Sequence, residues 1–319
     1  MDVNGTRLRV VVSCVARKRI PPTAQLQMRS VGWRGPISTA RLWTNRLEQS
    51  DAPALPATDL YMGDHWKVAT SLRQVALMVG IDLELWVVSA GYGLVRHFDP
   101  MKSYAATFAQ GHLDSVAPNL QADERRKALR EWWSELSNWR GVGSSPRSLE
   151  ELALEDPQAP ILAALSSKYL DAVTADLLKA RSGFDDPDLL LVVSAGAKCV
   201  DQLSANIVPT SADLQHAVGG SLVSLNVRIA RWIVSHYRSH RFERRQIVQG
   251  LHDLAPRTTG AKRNGLRLSD SAVKTFVRGR LRLNTRVSPH SLLRELRNKG
   301  QSCEAARFAR LFDVVAGGS

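Results

Sequence analysis

Three apolar runs along the chain each end in a serine followed by small residues. They are residues 9–18 (RVVVSCVARK), residues 83–93 (LELWVVSAGYG) and residues 189–198 (LLLVVSAGAK). Uninterrupted β-branched and aromatic residues are typical of strands that are buried on both faces of a parallel sheet. Because the carboxyl ends of parallel strands meet at one edge, we expect the three turns to form three sides of one pocket. The alternative for each turn is a tight strand-to-helix connection without a ligand.

Apolar residues at helical spacing predict helices between these strands. One helix is expected to start at a cap formed by Thr58 or Asp59 and to continue to Met78, and another covers residues 122–139. Residues 149–180 predict one or two helices, broken near Pro157 and Pro160, and residues 222–237 predict a helix that leads out of the sheet. The alternation of strands and helices predicts an α/β domain over residues 1–227, with a three-layer, parallel, Rossmann-like sheet.

The composition changes in the last third of the chain. The whole chain carries a formal net charge of +13, whereas residues 228–319 hold 20 Lys and Arg against 6 Asp and Glu. Short apolar segments are separated there by Pro and Gly, with Ser269 and Ser288 as expected N-caps. This pattern predicts a small, basic, helical domain that binds DNA, with a solvated cationic surface as the alternative. The expected DNA contacts are Arg241, Arg244, Arg245, Lys262, Arg263, Arg267, Arg278, Arg280 and Arg282.

Several classes of protein are disfavoured by what the sequence lacks. Cys14, Cys199 and Cys303 lie far apart, without a CxxC pair or a histidine at ligand spacing, so neither a disulfide framework nor a zinc site is expected. The phosphate-binding pattern GxxxxGK[ST] does not occur, and we expect no metal and no cofactor. No run of 18 apolar residues and no secretory leader is visible, so a cytoplasmic protein without a membrane span is expected.

Aromatic and polar residues near the three turns suit a flat, polar ligand such as a nucleobase. Backbone amides at Ser13, Gly91 and Ser194 are expected to bind the edge of the base, and Lys18 and Lys198 to neutralise phosphate or a leaving anion. The full set of expected substrate-binding residues is Ser13, Cys14, Lys18, Tyr61, Ser89, Gly91, Gly93, Tyr104, Ser194 and Lys198. The aromatic rings could instead pack in the core, and Cys14 is favoured as a packing thiol over a nucleophile.

Segments in the first third of the chain resemble a known domain family. The matching residues are Ser13, Cys14 and Lys18, then Ala57, Asp59, Leu60, Tyr61 and Trp66, then SAGYGLV at residues 89–95, and Tyr104. They resemble Rossmann-like domains of bacterial proteins of uncharacterised function, and a domain of archaeosine synthase. Such domains are similar in layout to the uracil-DNA glycosylase superfamily. Basic proteins of this kind resemble phage-defence glycosylases, which remove modified bases such as glucosylated hydroxymethylcytosine.

The resemblance implies a DNA glycosylase that extrudes a modified base and leaves an abasic site. An N-glycosylase needs a carboxylate or an activated water near the developing oxocarbenium ion, and we expect Asp59 to provide it, supported by Asp64, with Tyr92 stacking on the base. The usual glycosylase signatures are missing, since the first turn is SCVARK and the later one SAGAKC. Two alternatives are a non-catalytic sensor of modified DNA and a base-modifying enzyme of the 7-deazaguanine type.

Overall fold

A computed structural model describes residues 6–141, 146–195, 201–237, 242–254, 266–283 and 287–317. The described strands are β1 Thr6–Ser13, β2 Ala54–Pro56, β3 Ile81–Ser89, β4 Gly93–Arg96, β5 Pro100–Lys102, β6 Ile161–Ala164, β7 Leu190–Val193, β8 Ile207–Val208, β9 Leu266–Arg267 and β10 Gln301–Ser302. The described helices are α1 Pro36–Gln49, α2 Ala57–Leu60, α3 Asp64–Met78, α4 Ala122–Asn138, α5 Leu149–Glu155, α6 Ser167–Ser182, α7 Leu214–Val218, α8 Leu225–His236, α9 Arg244–Leu254, α10 Asp270–Leu283, α11 Pro289–Asn298 and α12 Ala305–Ala316. The chain therefore has a mixed α/β fold.

Among the described residues, the main sheet has six strands in the order β4-β3-β1-β6-β7-β8. All neighbouring pairs are parallel except β3 and β4, which run antiparallel through the turn at residues 90–92. Strand β1 is central, and its Val10 lies opposite Leu85 of β3 and Leu162 of β6. Val10, Val11 and Val12 are fully buried, as expected for a strand covered on both faces. The predicted parallel pairing of the first two apolar runs is confirmed.

The sheet contains a strand that the sequence pattern did not predict. Residues 149–180 were predicted to form one or two helices; they form helices α5 and α6, with strand β6 between them. Strand β6 has only four residues, ILAA, and two alanines give no β-branched signal. Periodicity alone cannot distinguish a strand from a buried helix over so short a run. The tertiary pairing of β6 between β1 and β7 decides its conformation.

The predicted helix from Thr58 to Met78 is also divided. Helix α2 ends at Leu60, and α3 begins at Asp64 after Gly63, whose φ of +106° favours glycine. By contrast, α4 over Ala122–Asn138 agrees with the predicted helix at residues 122–139. Its Trp132, Trp133 and Leu136 are buried, so the apolar side of α4 packs inward.

Two groups of helices pack around the sheet strands. Helix α3 contacts β3 and α8, and α8 contacts β6 and β7. In the second group, α4 contacts α1, α6 and β4, and α5 contacts α6. Two buried arginines connect segments that are distant in the chain. Arg9 donates to the carbonyl oxygens of Leu152, Asp156 and Ala159, and Arg147 donates to the carbonyl oxygen of Leu94 at 2.9 Å. Burial lowers the pKa of both guanidinium groups to about 10.

The chain divides into two compact units, residues 1–256 and residues 257–319. The predicted boundary was at residues 227/228, but α8 packs against the sheet, and Arg244 of α9 donates to the carbonyl oxygen of Ile207 in β8 at 3.0 Å. Both helices therefore belong to the first unit. In the part of the chain that is described, no helix has the length and hydropathy needed to cross a membrane.

The second unit has its own hydrophobic core. Its three described helices, α10, α11 and α12, bury Val273, Val277, Leu296 and Phe308 among others, and β9 pairs with β10 in parallel. The two predicted N-caps are confirmed. The hydroxyl of Ser269 accepts from the amide of Ala272 at 3.2 Å, and that of Ser288 accepts from the amide of Ser291 at 3.2 Å.

Candidate functional site

A cavity of about 340 Å³ opens beside the loop that follows β1. One wall comes from residues 16–29 and the other from residues 104–114, with prolines and alanines between the polar groups. The two walls are joined by backbone hydrogen bonds, since Ala105 donates to Leu26 and accepts from Met28, both at 2.8 Å. The polar side chains that line the cavity are Lys18, Gln27, Arg29, Tyr104, Thr107, His112 and Asp114.

A chain of buried hydroxyl groups extends from Tyr104. Its oxygen lies 2.7 Å from the hydroxyl of Ser89 and 2.8 Å from that of Tyr61. The oxygen of Ser89 also accepts from the backbone amides of Gly91 and Tyr92, at 3.3 and 3.0 Å. Burial raises the pKa of Tyr61 and of Tyr104 well above the ordinary tyrosine value, so both hydroxyls stay neutral. This network orients the Tyr104 ring in the cavity wall.

Lys18 reaches the cavity from the loop after β1. Its Nζ lies 4.0 Å from the centre of the Tyr104 ring and 5.5 Å from that of Tyr61. It donates to the backbone carbonyls of Val15 and Ala16 at 3.3 and 3.4 Å. Burial lowers the pKa of Lys18 to about 8, and electrostatic interactions with Cys14 and Asp114 oppose that effect only in part. The ammonium form still predominates at pH 7, but the neutral amine is populated far more than in an ordinary lysine.

Cys14 is placed as a packing thiol. Its Sγ is 3.1 Å from the hydroxyl of Tyr169, which contacts Phe108 edge to face at 4.9 Å between ring centres. Its backbone amide donates to Val88 at 3.0 Å, continuing the pairing of β1 with β3. The thiol is only 8% exposed and does not line the cavity.

Asp114 and Arg29 were not predicted from the sequence, and they form the charged end of the cavity. The Asp114 side chain is 2% exposed, and one oxygen accepts from Nε and the amide of Arg29 at 2.8 and 3.1 Å. Its other oxygen accepts from the guanidinium Nη2. Burial alone would raise the pKa of Asp114, but the hydrogen bonds from Arg29 outweigh it and the pKa falls below the usual range. The cavity thus contains an ionised carboxylate.

The predicted catalytic residues lie elsewhere. Asp59 is exposed on α2 and contributes its backbone carbonyl to Arg19 Nε at 3.0 Å. Asp64 accepts from Ser224 at 2.6 Å and from Arg228 at 2.7 Å, which lowers the pKa of its carboxyl and ties α3 to α8. Tyr92 is fully buried, and its hydroxyl bonds the backbone of Lys102. Of the described residues that line the cavity, none is one of these three.

The glycine turn has a packing role. The Gly91 amide, expected to bind a base edge, donates to Ser89, and a Cβ at Gly91 would lie 2.6 Å from the Tyr104 ring. Gly93, with a φ of +76°, starts the antiparallel strand β4. Gly91 therefore allows the close approach of the Tyr104 ring, and the predicted ligand contact of this turn stays a prediction.

The serines at the ends of β1 and β7 are both buried but differ in their hydrogen bonds. The carbonyl of Ser13 accepts from His65 Nε2 at 3.1 Å, and its hydroxyl accepts from the amide of Ser166 at 3.3 Å. The Ser194 hydroxyl, at the end of β7, is buried without a hydrogen-bonding partner among the described residues. Lys198 lies outside the described residues, so its predicted role stays a prediction.

The predicted DNA contacts differ in their surroundings. Arg245, Arg267, Arg278 and Arg282 are exposed, whereas Arg244 is tied to β8 and Arg280 pairs with Glu295. The predicted contacts Arg241, Lys262 and Arg263 lie outside the described residues. On α10, residues four apart share one side, so Lys274, Arg278 and Arg282 form a cationic stripe next to the buried Val273 and Val277.

Within the described ranges, no group of three or more His, Cys, Asp and Glu side chains could hold a metal ion. Comparison of the chain with models of protein families, with curated proteins and with solved structures finds no significant match.

Proposed function

We propose that the protein is a DNA glycosylase that excises a modified base, with the extruded base bound in the cavity beside β1. The observation that carries this proposal is the composition of that cavity. Its volume of about 340 Å³ falls within the range of small-molecule sites, and an aromatic ring, an amine and an ionised carboxylate converge on it. These are groups that stack on a base, bind its edge or its leaving form, and stabilise a cationic sugar.

The roles assigned to individual residues follow from that arrangement. Asp114, rather than the exposed Asp59, would lie near the oxocarbenium ion, because it is ionised and lines the cavity. Tyr104, which lines the cavity, would contact the base, and Gln27 and His112 can donate to or accept from the edge of the base. Lys18 would contact the departing base or the sugar.

The distribution of charge supports a nucleic acid as the polymer, and we propose that it is DNA. Residues 257–319 contain 14 Lys and Arg and 4 Asp and Glu, a net charge of +10 within a total of +13. Neutralised phosphates release condensed counterions, so such a unit binds a polyanion strongly at low salt. We infer that Lys274, Arg278 and Arg282 contact phosphates.

We also infer that helices cover both faces of the mostly parallel sheet, in a Rossmann-like, three-layer arrangement.

The proposal is tested with a panel of unmodified and modified phage DNAs. The expected result is release of one modified base, detected by mass spectrometry, and strand breaks after alkali treatment at the resulting abasic sites. Asp114→Asn should reduce release by about 100-fold or more, whereas the matched variant Asp59→Asn should retain wild-type activity. The absence of a free base from every DNA in the panel would contradict the proposal.

One observation favours a second function, a non-catalytic sensor of modified DNA. Both carboxylate oxygens of Asp114 are bonded by Arg29, which limits the ability of this carboxylate to activate a water. A sensor would bind modified DNA more tightly than unmodified DNA and release nothing. Asp114→Asn would then change the preference for modified DNA, measured as a ratio of dissociation constants at fixed salt, without any product being formed.

A further inference from the structure

We propose that Lys18 is the nucleophile of this site and forms an imine with C1′ of the deoxyribose whose base is removed. This inference rests on the proposed function, and it replaces direct hydrolysis by a covalent intermediate. It predicts chemistry on abasic DNA that a glycosylase using only water does not perform.

The position of Lys18 is the first argument. Its side chain borders the cavity, and its Nζ lies against the face of Tyr104 at 4.0 Å from the ring centre. The nitrogen has only carbonyl acceptors, those of Val15 and Ala16 at 3.3 and 3.4 Å, among its hydrogen bonds in the described structure. Asp114, which lines the same cavity, is engaged by Arg29 instead. An amine without a bonded carboxylate keeps its lone pair accessible when it loses a proton.

The protonation state of Lys18 is the second argument. With a pKa of about 8, about a tenth of the Lys18 side chains are neutral at pH 7. For an ordinary lysine at the same pH, the neutral fraction is about one in three thousand. Desolvation of an amine in a pocket is a known way to prepare a lysine for imine formation. The groups that face it are the rings of Tyr61 and Tyr104, the thiol of Cys14 and the carboxylate of Asp114.

The chemical step balances without a further reactant. The lone pair of Nζ forms a bond to C1′ while the C1′–base bond breaks and its electron pair leaves with the base. One Nζ proton is transferred to the base nitrogen. The second is transferred to O4′ as the C1′–O4′ bond opens, which gives the imine C1′=Nζ. Water then releases the aldehyde and restores the amine. With an abasic site as substrate, the amine and the C1′ aldehyde form the same imine and release one water.

Borohydride trapping on abasic DNA tests the inference without knowledge of the natural base. The probe is a labelled duplex oligonucleotide with one abasic site, incubated with the full-length protein and sodium cyanoborohydride. Hydride addition to the imine gives a stable secondary amine. The expected result is a covalent protein–DNA adduct whose modified peptide, identified by mass spectrometry, contains Lys18. Lys18→Arg should lower adduct yield by about tenfold or more, and Lys67→Arg, at an exposed lysine of α3, should leave it unchanged.

The outcomes separate this inference from the proposed function. Base release from modified DNA without an adduct at Lys18 overturns the inference and leaves the glycosylase proposal intact. An adduct at Lys18 with no base released from any DNA supports the lysine chemistry and contradicts base excision. An adduct at another amine, or no adduct under conditions where the probe is bound, overturns the inference. Because the adduct is mapped on the wild-type protein, this test does not depend on the folding of a variant.

Discussion

The hydroxyl oxygens of Tyr61 and Tyr104 lie 2.8 Å apart in the buried interior behind the cavity. Tyr104→Phe removes this hydrogen bond and the one to Ser89, and it leaves buried oxygens without their partner. We expect a loss of about 1–3 kcal/mol in the free energy of unfolding, measured by urea denaturation. A double-mutant cycle with Tyr61→Phe should give a coupling of about 0.5–3 kcal/mol, and strict additivity would contradict a direct bond.

Gly91→Ala is expected to destabilise the first unit. The added Cβ would lie 2.6 Å from two atoms of the Tyr104 ring and 3.3 Å from the ring of Trp43, and both rings are fully buried. Overpacking of this kind costs about 1–3 kcal/mol in the free energy of unfolding. The cost should shrink in a Tyr104→Ala background, where the ring is absent. An equal cost in both backgrounds would show that the ring is not the cause.

The stability of a Lys18→Met variant should depend on pH in a defined direction. Lys18 has a pKa of about 8 in the folded protein, below its ordinary value of 10.5, so the folded state binds fewer protons between these values. The contribution of Lys18 to the free energy of unfolding therefore rises with pH between about pH 8 and 10.5. Below about pH 8 the full cost of burying the ammonium group destabilises the folded state. We expect Lys18→Met to be more stable than the wild type at pH 7, by about 3 kcal/mol at most.

The same comparison should show a smaller difference at higher pH. Urea unfolding of both proteins at pH 7 and at pH 10 measures the difference in their free energies of unfolding at each pH. Lys67→Met, which alters an exposed lysine on α3, is the matched control and should show no such trend. A stability difference that is constant between pH 7 and pH 10 would argue against a desolvated ammonium at Lys18.

Two arginines of α10 should behave differently. Arg278 is exposed on the cationic stripe, so Arg278→Gln should weaken DNA binding and reduce the slope of log K against log salt by about 1. Arg280 pairs with Glu295 and lies over the Phe276 ring, at 5.7 Å from its centre. Arg280→Gln should therefore lower the melting temperature of the second unit more than Arg278→Gln does. Identical effects of the two variants on melting temperature would contradict this assignment.

The sequence predicted those parts of the fold that depend on long, uniform patterns. Strands β1 and β3 and helix α4 were predicted because each has an apolar run or stripe of nearly its full length. Strand β6 was missed because four residues carry too little pattern, and the break before α3 depends on the backbone at Gly63. Such features are decided by tertiary pairing and by single backbone angles.

The site was predictable only in part. Lys18 and Tyr104 were expected and line the cavity, whereas Ser89 and Gly91 support the Tyr104 ring instead. Asp114 was missed because it follows no periodic pattern and acquires its role from Arg29, which is 85 residues away in the chain. A carboxylate whose partner is so distant has no local signature, and only the fold brings the two together.

The packing of α8 on β6 and β7 determines where the chain can be cut into transferable parts. A break at residues 227/228 would split α8 and leave buried residues such as Ile229 and Ile233 without the strands that cover them. A break after α9 separates two pieces that each retain a complete core. We therefore expect residues 257–319 to fold as a separate piece when the chain is divided near residue 256.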